Sequence, residues 1–261
     1  MISIVMAYYN RKAQLIRTLD SIDKSLYKDI EVIIIDDCSS IEHMIEDIPK
    51  SYPFKIKITT LKRENKWYVN CCIPYNMGIA QAKGDIIIIQ NPECYHIHDI
   101  LMYVVTNLTD SNYLAMSTYA LDAHVTDTLH EIKNPDILLK RLPQCMFTKR
   151  LGWYNHPIHK PTYLHFCAAI TKSNLQKLGG FDERFAMGVA YDDNELVERV
   201  KRSGLKLEIP TEVSVFHQHH SKVDHFSIRN YRELHQRNKT LFHILTMKET
   251  SVFKKNSYAT K

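Results

Sequence analysis

Apolar positions along this chain fall into short blocks separated by helical repeats. Ile2 to Met6 is an apolar run closed by the polar-aromatic turn Ala7-Tyr8-Tyr9-Asn10, after which Leu15, Leu19, Ile22 and Leu26 recur at helical spacing. Glu31 to Ile35 repeats the run and ends in Asp36-Asp37-Cys38-Ser39-Ser40, and a helix through Met44 and Ile48 is expected next. Lys55 to Leu61 alternates as a third strand, and Pro74 to Ala82 reads as helix. Ile86 to Ile89 is then a buried strand, opened by Gly84-Asp85 and stopped by Asn91-Pro92, where proline removes a backbone donor. Strands alternating with helices in this way predict an α/β fold with a mostly parallel sheet and right-handed crossovers.

The remainder is less regular. Ile97 to Leu108 predicts a helix and Tyr113 to Thr118 a strand, whereas Tyr119 to Pro161 has poor periodicity and no assigned elements. Irregular segments of that size often shape a binding surface. Tyr163 to Thr171 predicts an edge of the core; Tyr191 to Ser203 predicts a helix with Leu196, Val197 and Val200 on one face and Gly204 as its C-cap. Leu205 to Val215 reads as extended, and Ile228, Tyr231, Leu234, Leu241 and Leu245 mark an amphipathic helix over Ser227 to Met247. With no repeat, linker or low-complexity tract, a single domain is expected.

Composition narrows the function classes. With 261 residues, 44% of them hydrophobic, the chain can build a full core, which excludes a disordered protein. The net charge of +5 is dispersed rather than gathered into a basic stripe, which argues against nucleic-acid binding. The first ten residues lack a basic leader region, and no apolar run approaches the roughly 18 residues of a membrane span, so a soluble cytoplasmic protein is expected. Six cysteines without a C-x-x-C pair read as reduced thiols. Neither a G-x-G-x-x-G nor a Walker A loop is present. Open α/β sheets bind ligands beyond the carboxyl ends of their strands, which directs attention to Asp36-Asp37 and to Asn91-Pro92-Glu93. His217, His219 and His220 admit a zinc reading, but no Cys or Glu spacing completes a closed four-ligand site.

Six stretches in order carry a family likeness: SIVMAYYNR, IEVIIIDDCSS, NMGIAQAKGDIIIIQNPE, GGFDE, YDDNEL and VFHQHH. Together they resemble the GT-A glycosyltransferases of the family-2 type, in the nucleotide-diphospho-sugar transferase superfamily, over roughly residues 2 to 220. The resemblance implies a GT-A fold, with a Rossmann-like, mostly parallel central sheet flanked by helices in a single domain. Residues 1–118 would form the nucleotide-sugar-binding half, 119–220 the acceptor-binding and catalytic half, and 221–261 a C-terminal helical segment.

The same resemblance assigns roles. Asp37 would accept a hydrogen bond from the nucleobase, although Asp36 and Asp37 also suit a helix N-cap. Ala7, Tyr8 and Asn10 would line base and ribose, Arg63 would face the diphosphate, and Asn76 and Asn91 would complete the nucleotide site. Where the family has Asp-x-Asp, this chain has Asn91-Pro92-Glu93; Glu93 remains a hard-oxygen ligand for Mn²⁺ or Mg²⁺, and His217 is the second candidate ligand. Asp193 would be the general base of an inverting transfer and Asp192 its partner, at a helix N-terminus whose dipole lowers carboxylate pKa values. Trp153, Tyr154 and His156 would form an acceptor platform, or else core. The implied activity is metal-assisted transfer of a sugar from a nucleotide-diphosphate donor, a UDP-sugar by preference, to a hydroxyl of a glycan or other acceptor. A catalytically inactive nucleotide-sugar-binding protein of the same fold is the alternative; a nucleotidyltransferase is disfavoured by the glycine-free turn AYYNRK.

Overall fold

The computed structural model describes residues 1–148, 150–220 and 230–247. The first apolar runs become strands β1 (Ile2–Tyr8), β2 (Ile30–Asp36), β3 (Lys55–Thr60) and β4 (Ile86–Gln90), paired in parallel in the order β4-β1-β2-β3. Helix α1 (Lys12–Asp23) buries Leu15, Leu19 and Ile22 against one face of this sheet, beside Ile4, Met6 and Ile34. Helix α2 (Cys72–Gln81) covers the other face so closely that a methyl group on Gly78 would collide with Val5. The helix expected through Met44 and Ile48 is absent; two short 3-10 turns, Ile41–His43 and Ile48–Ser51, stand there instead. Pro49 accounts for this, because it lacks the N–H that an α-helix through this stretch would bond to the Ile45 carbonyl.

The chain continues through β5 (Cys94–His96), α3 (Ile100–Asn107), β6 (Asn112–Ala115), β7 (Ser117–Ala120), α4 (Ala123–Thr128), α5 (Pro135–Arg141) and β8 (Gly152–Asn155). There follow β9 (Cys167–Thr171), α6 (Lys172–Leu178), α7 (Asp192–Arg202), β10 (Lys206–Glu208), β11 (Ser214–His217) and α8 (Tyr231–Met247). Among the described residues two sheets form: seven strands in the order β10-β6-β9-β4-β1-β2-β3, and four in the order β5-β11-β7-β8.

Three expectations are corrected. The run ending at Thr171 is no edge: β9 lies antiparallel between β4 and β6, with Ala168 and Ala169 facing opposite hydrophobic clusters. The strand expected at Tyr113 to Thr118 breaks at Met116, so that β6 joins the large sheet and β7 the small one. Leu205 to Val215 divides in the same way between β10 and β11. The expected start of the last helix, Ser227 with Ile228, lies outside the described residues.

The second sheet is what builds the site. Strand β11 runs between β5 and β7, so the His217 end of β11 is paired with the Cys94 end of β5, next to Glu93.

Candidate active site

Glu93 follows β4 through a turn closed by the Cys94 N–H donating to the Asn91 carbonyl at 3.0 Å, with Pro92 in the second position that such turns favour. Its carboxylate is only 1% exposed and faces one guanidinium and two imidazoles. The Arg11 Nη1 lies 3.0 Å from both carboxylate oxygens, the His217 Nε2 is 3.1 Å from Oε1, and the His220 Nε2 is 3.6 Å from it. Burial alone would raise the Glu93 carboxyl, but Arg11, with His217 and His220, holds it well below the usual carboxylate range. Gln218 sets this geometry. Fully buried, it donates to the backbone carbonyls of Gln14 and Glu93 and accepts from the Arg17 Nε at 2.6 Å, pinning the histidine segment to α1.

One ligand atom from each of Glu93, His217 and His220 lies within 4.8 Å of the others. Bonds of roughly 2.0–2.2 Å to a shared ion place neighbouring ligand atoms about 3 Å apart, so this donor set fits a divalent cation. Asn91 supports the set from behind, with its side-chain oxygen accepting from the Tyr75 hydroxyl at 3.0 Å and its amide nitrogen 3.5 Å from Glu93 Oε1.

The two aspartates after β2 have different duties. Asp36 is buried and accepts the Ser39 N–H at 3.0 Å, fixing the turn. The Asp37 carboxylate instead receives the Lys66 Nζ at 2.5 Å and the Tyr68 hydroxyl at 2.7 Å. Lys66 also lies over the rings of Tyr68 and Tyr9, at 5.1 and 5.9 Å from their centroids. Burial and the Asp37 charge raise the Tyr68 hydroxyl far above its ordinary value, so it remains a donor.

Asp192 and Asp193 begin α7. Asp192 is buried and accepts from the Asn70 Nδ2 at 2.8 Å. A part of Asp193 reaches solvent while protein surrounds its carboxyl on most sides; that burial, and then the Asp192 charge, push its pKa up to about 7. The lowering expected from the helix dipole is therefore outweighed by desolvation and like-charge repulsion. Preceding the pair, Ala190 and Tyr191 both adopt left-handed backbone with φ of 61° and 68°, a conformation costing non-glycine residues about 1–2 kcal/mol each. The α2 segment serves both acidic centres: the Tyr75 hydroxyl on α2 donates to Asn91, which lies beside Glu93, and Asn70, just before α2, donates to Asp192.

The model of the family described as "Glycosyl transferase family 2" matches residues 3–179, more than half of the chain. The chain belongs to glycosyl transferase family 2. An uncharacterized glycosyltransferase of Haemophilus influenzae is 30% identical over 96 residues, a stretch covering 36% of this chain and 30% of that protein. Among solved structures, S. aureus TarS 1-349 in complex with UDP-GlcNAc superposes with a TM-score of 0.65 at 13% identity, over 97% of this chain and 68% of that one. The mannosyltransferase PcManGT from Pyrobaculum calidifontis, in complex with GDP-Man and Mn²⁺, does so with a TM-score of 0.59 at 15% identity, over 96% of this chain and 65% of that one. The fold is that of the GT-A glycosyltransferases.

Within this family 2 domain the matched stretch stops at Gly179, so Asp192, Asp193 and His217 lie beyond it and rest on their own geometry. The remaining sequence candidates are placed as follows. Tyr8 is fully buried with its hydroxyl on the His43 carbonyl, which leaves backbone, with half-buried Ala7, at the ligand edge. The Asn10 side-chain oxygen accepts the Ser40 N–H at 2.8 Å, tying the β1 turn to the β2 turn. Arg63 is exposed on a 3-10 turn. Asn76 is occupied by the Phe181 backbone and by Glu183, so it clamps the Gly179-Gly180-Phe181 turn rather than facing the centre of the site. Trp153 is 3% exposed, edge-on to Tyr119 and bonded to Gln144, which places it in the core. His156 accepts two backbone N–H groups of its own hairpin. Tyr154, whose ring lies 5.1 Å from that of His217 in a T-shaped pair, lines a cavity of about 690 Å³ together with Phe147, Arg150, His219 and His220.

Arg11, Lys66, Tyr68 and Asn70 escaped the sequence reading because each acts on a carboxylate distant in the chain. His220 entered the sequence reading only in the zinc alternative, beside His217 and His219. All six cysteines are unpaired. Among the described residues no helix is long and apolar enough to cross a membrane.

Proposed function

We propose that this family 2 domain transfers the sugar of a UDP-linked donor to a hydroxyl acceptor with inversion, assisted by a divalent cation. The reading is carried by the Glu93-His217-His220 set just beyond the carboxyl end of the central strand β4, with Glu93 and His217 buried and His220 half-buried. Glu93, His217 and His220 would hold Mn²⁺ or Mg²⁺, whose chemistry when bound is neutralisation of charge on the departing nucleotide diphosphate. Two imidazoles beside one carboxylate favour Mn²⁺. Arg11 keeps Glu93 ionised and hence ready as a ligand.

Asp37, held in place by Lys66 and Tyr68, presents its remaining lone pairs to the base edge of the donor. The Asp37→Asn variant is expected to bind UDP about tenfold to a hundredfold more weakly, the worth of a hydrogen bond to a charged group, as calorimetry would show. Asp193 takes the proton of the acceptor hydroxyl as that oxygen attacks the anomeric carbon, and its elevated pKa suits a base working near neutral pH. Asp192, fixed by Asn70, orients that neighbour and keeps its pKa high. Turnover should therefore rise with pH through about 7, where Asp193 loses its proton. Removing the Asp192 charge in Asp192→Asn lowers the Asp193 pKa, so the acid limb of the pH–rate profile should move to lower pH.

The solved neighbours bear UDP-GlcNAc in one case and GDP-Man in another, so the choice of UDP leans on Asp37 rather than on the fold. A panel of UDP- and GDP-sugars, assayed for nucleotide release with and without Mn²⁺, tests the proposal. Mn²⁺-stimulated release of UDP from at least one sugar is expected. Nucleotide binding with no release from any donor would instead identify a non-catalytic binding protein, the reading favoured by Asn91 standing where the family has an aspartate.

A further inference from the structure

We propose that helix α8 acts, through Asn238, as a clamp that positions the turn leading into Asp192 and Asp193 at the start of α7; the inference rests on the reading of Asp193 as the base. Asn238 is 0% exposed on a helix whose neighbouring side chains are largely exposed or half-buried. Its amide nitrogen donates to the Phe185 carbonyl at 3.0 Å and to the Ala190 carbonyl at 2.9 Å, the two ends of the turn that leads into α7. Its oxygen accepts from the Arg237 Nη1 at 2.8 Å, and the same nitrogen of Arg237 reaches the Arg184 carbonyl at 3.2 Å. Every polar atom of the buried amide is thus engaged.

The surroundings are cut to that amide. Gly188 packs directly on it, and no Cβ would fit there. The Val189 N–H donates to the Leu234 carbonyl one turn earlier on α8, at 3.2 Å. The Tyr191 ring lies against His235 and Phe242, at 5.3 and 5.5 Å between centroids. From the opposite side, the Ala186 carbonyl accepts the N–H groups of Val69 and Asn70, and Asn70 holds Asp192.

Packing alone would place an apolar side chain at position 238, because burying an amide is unfavourable unless its hydrogen bonds are made. What the amide adds is direction. It holds the Ala190 carbonyl while Ala190 and Tyr191 keep two consecutive left-handed conformations, which otherwise relax and swing the start of α7. Asn238 is accordingly a positioning residue. It sits on a segment outside the stretch matched by the family 2 model.

The test uses the full chain with Asn238→Asp, which keeps shape but removes the donor, and Asn238→Ala. Hydrogen exchange without substrate is expected to be at least tenfold faster at Val189 and through the first turn of α7 in Asn238→Asp, with β1, β2 and β4 unchanged. With UDP-GlcNAc as donor probe, the rate of UDP release at saturation should fall at least tenfold, while the UDP dissociation constant stays within twofold. Unchanged protection at Val189 and the α7 start would overturn the clamp even if one variant failed to fold. So would a release rate within twofold of the parent, or UDP affinity falling in step with it. Failure of the base reading looks different: Asp193→Asn would then retain turnover, whereas the exchange result stands by itself.

Discussion

The variant Asp193→Asn is expected to lose about a thousandfold in turnover while binding UDP within about twofold of the parent, because a positioned general base contributes roughly a hundredfold to ten-thousandfold. The substitution keeps shape and removes the one property the mechanism needs, a proton acceptor beside the acceptor hydroxyl. It also relieves the like-charge contact with Asp192 that helps raise Asp193 to about 7. A carboxylate held above its unfolded value destabilises the folded state once ionised, so stability attributable to Asp193 falls as pH rises between its ordinary value of 3.8 and about 7. Asp193→Asn removes that dependence. Thermal unfolding near neutral pH should therefore be unchanged or slightly higher in the variant that has lost activity. Retained turnover would remove Asp193 from the base role.

Glu93→Gln carries the second large effect, and here activity and stability fall together. The parent carboxylate is buried and faces Arg11, His217 and His220, so neutralising it leaves Arg11 without its counter-charge; breaking a buried ion pair in this way costs about 3–5 kcal/mol. For a chain of this size that corresponds to roughly 10 °C in Tm. Glu93 has a depressed folded pKa, so its stabilisation is complete above its ordinary value of 4.5 and is lost as pH falls through the lower folded value. The gap in Tm between parent and variant should thus be widest at neutral pH and close in acid. Any stimulation of UDP binding by Mn²⁺ should vanish at the same time. A Tm within 2 °C of the parent, measured by calorimetry at neutral pH, would contradict the account of Glu93 as the centre of the charge cluster.

What could be read from the sequence, and what could not, divides along physical lines. The parallel core was legible because β1, β2 and β4 are buried on both faces and read as unbroken apolar runs, while α1 repeats its apolar stripe every three to four residues. The second sheet was not, because its strands are only three or four residues long and alternate between sheets at single residues such as Met116. Periodicity has no purchase on so short a segment.

The site divides similarly. Glu93, Asp37, His217 and the Asp192-Asp193 pair stand next to strand ends or a helix start, where the family likeness and the fold rule of ligands at strand ends both point. Their partners do not: Arg11 lies 82 residues from Glu93 in the chain, and Asn70 lies 122 from Asp192. Asn76 and Trp153 show the opposite failure, residue types suited to ligands that the packing uses for itself. Asn76 is consumed by the turn in which Gly180 presses on it, and Trp153 by the core between Tyr119 and Gln144.

Nucleotide binding at the ends of β2 and β4 is the event on which Asp37 and Glu93 act together. Calorimetric titration of the purified protein with UDP, in the presence and absence of Mn²⁺, measures it most directly. The arrangement of Asp37 at one end and Glu93, His217 and His220 at the other predicts that UDP binds and that Mn²⁺ tightens the binding at least tenfold. Absence of heat from UDP under both conditions would contradict it.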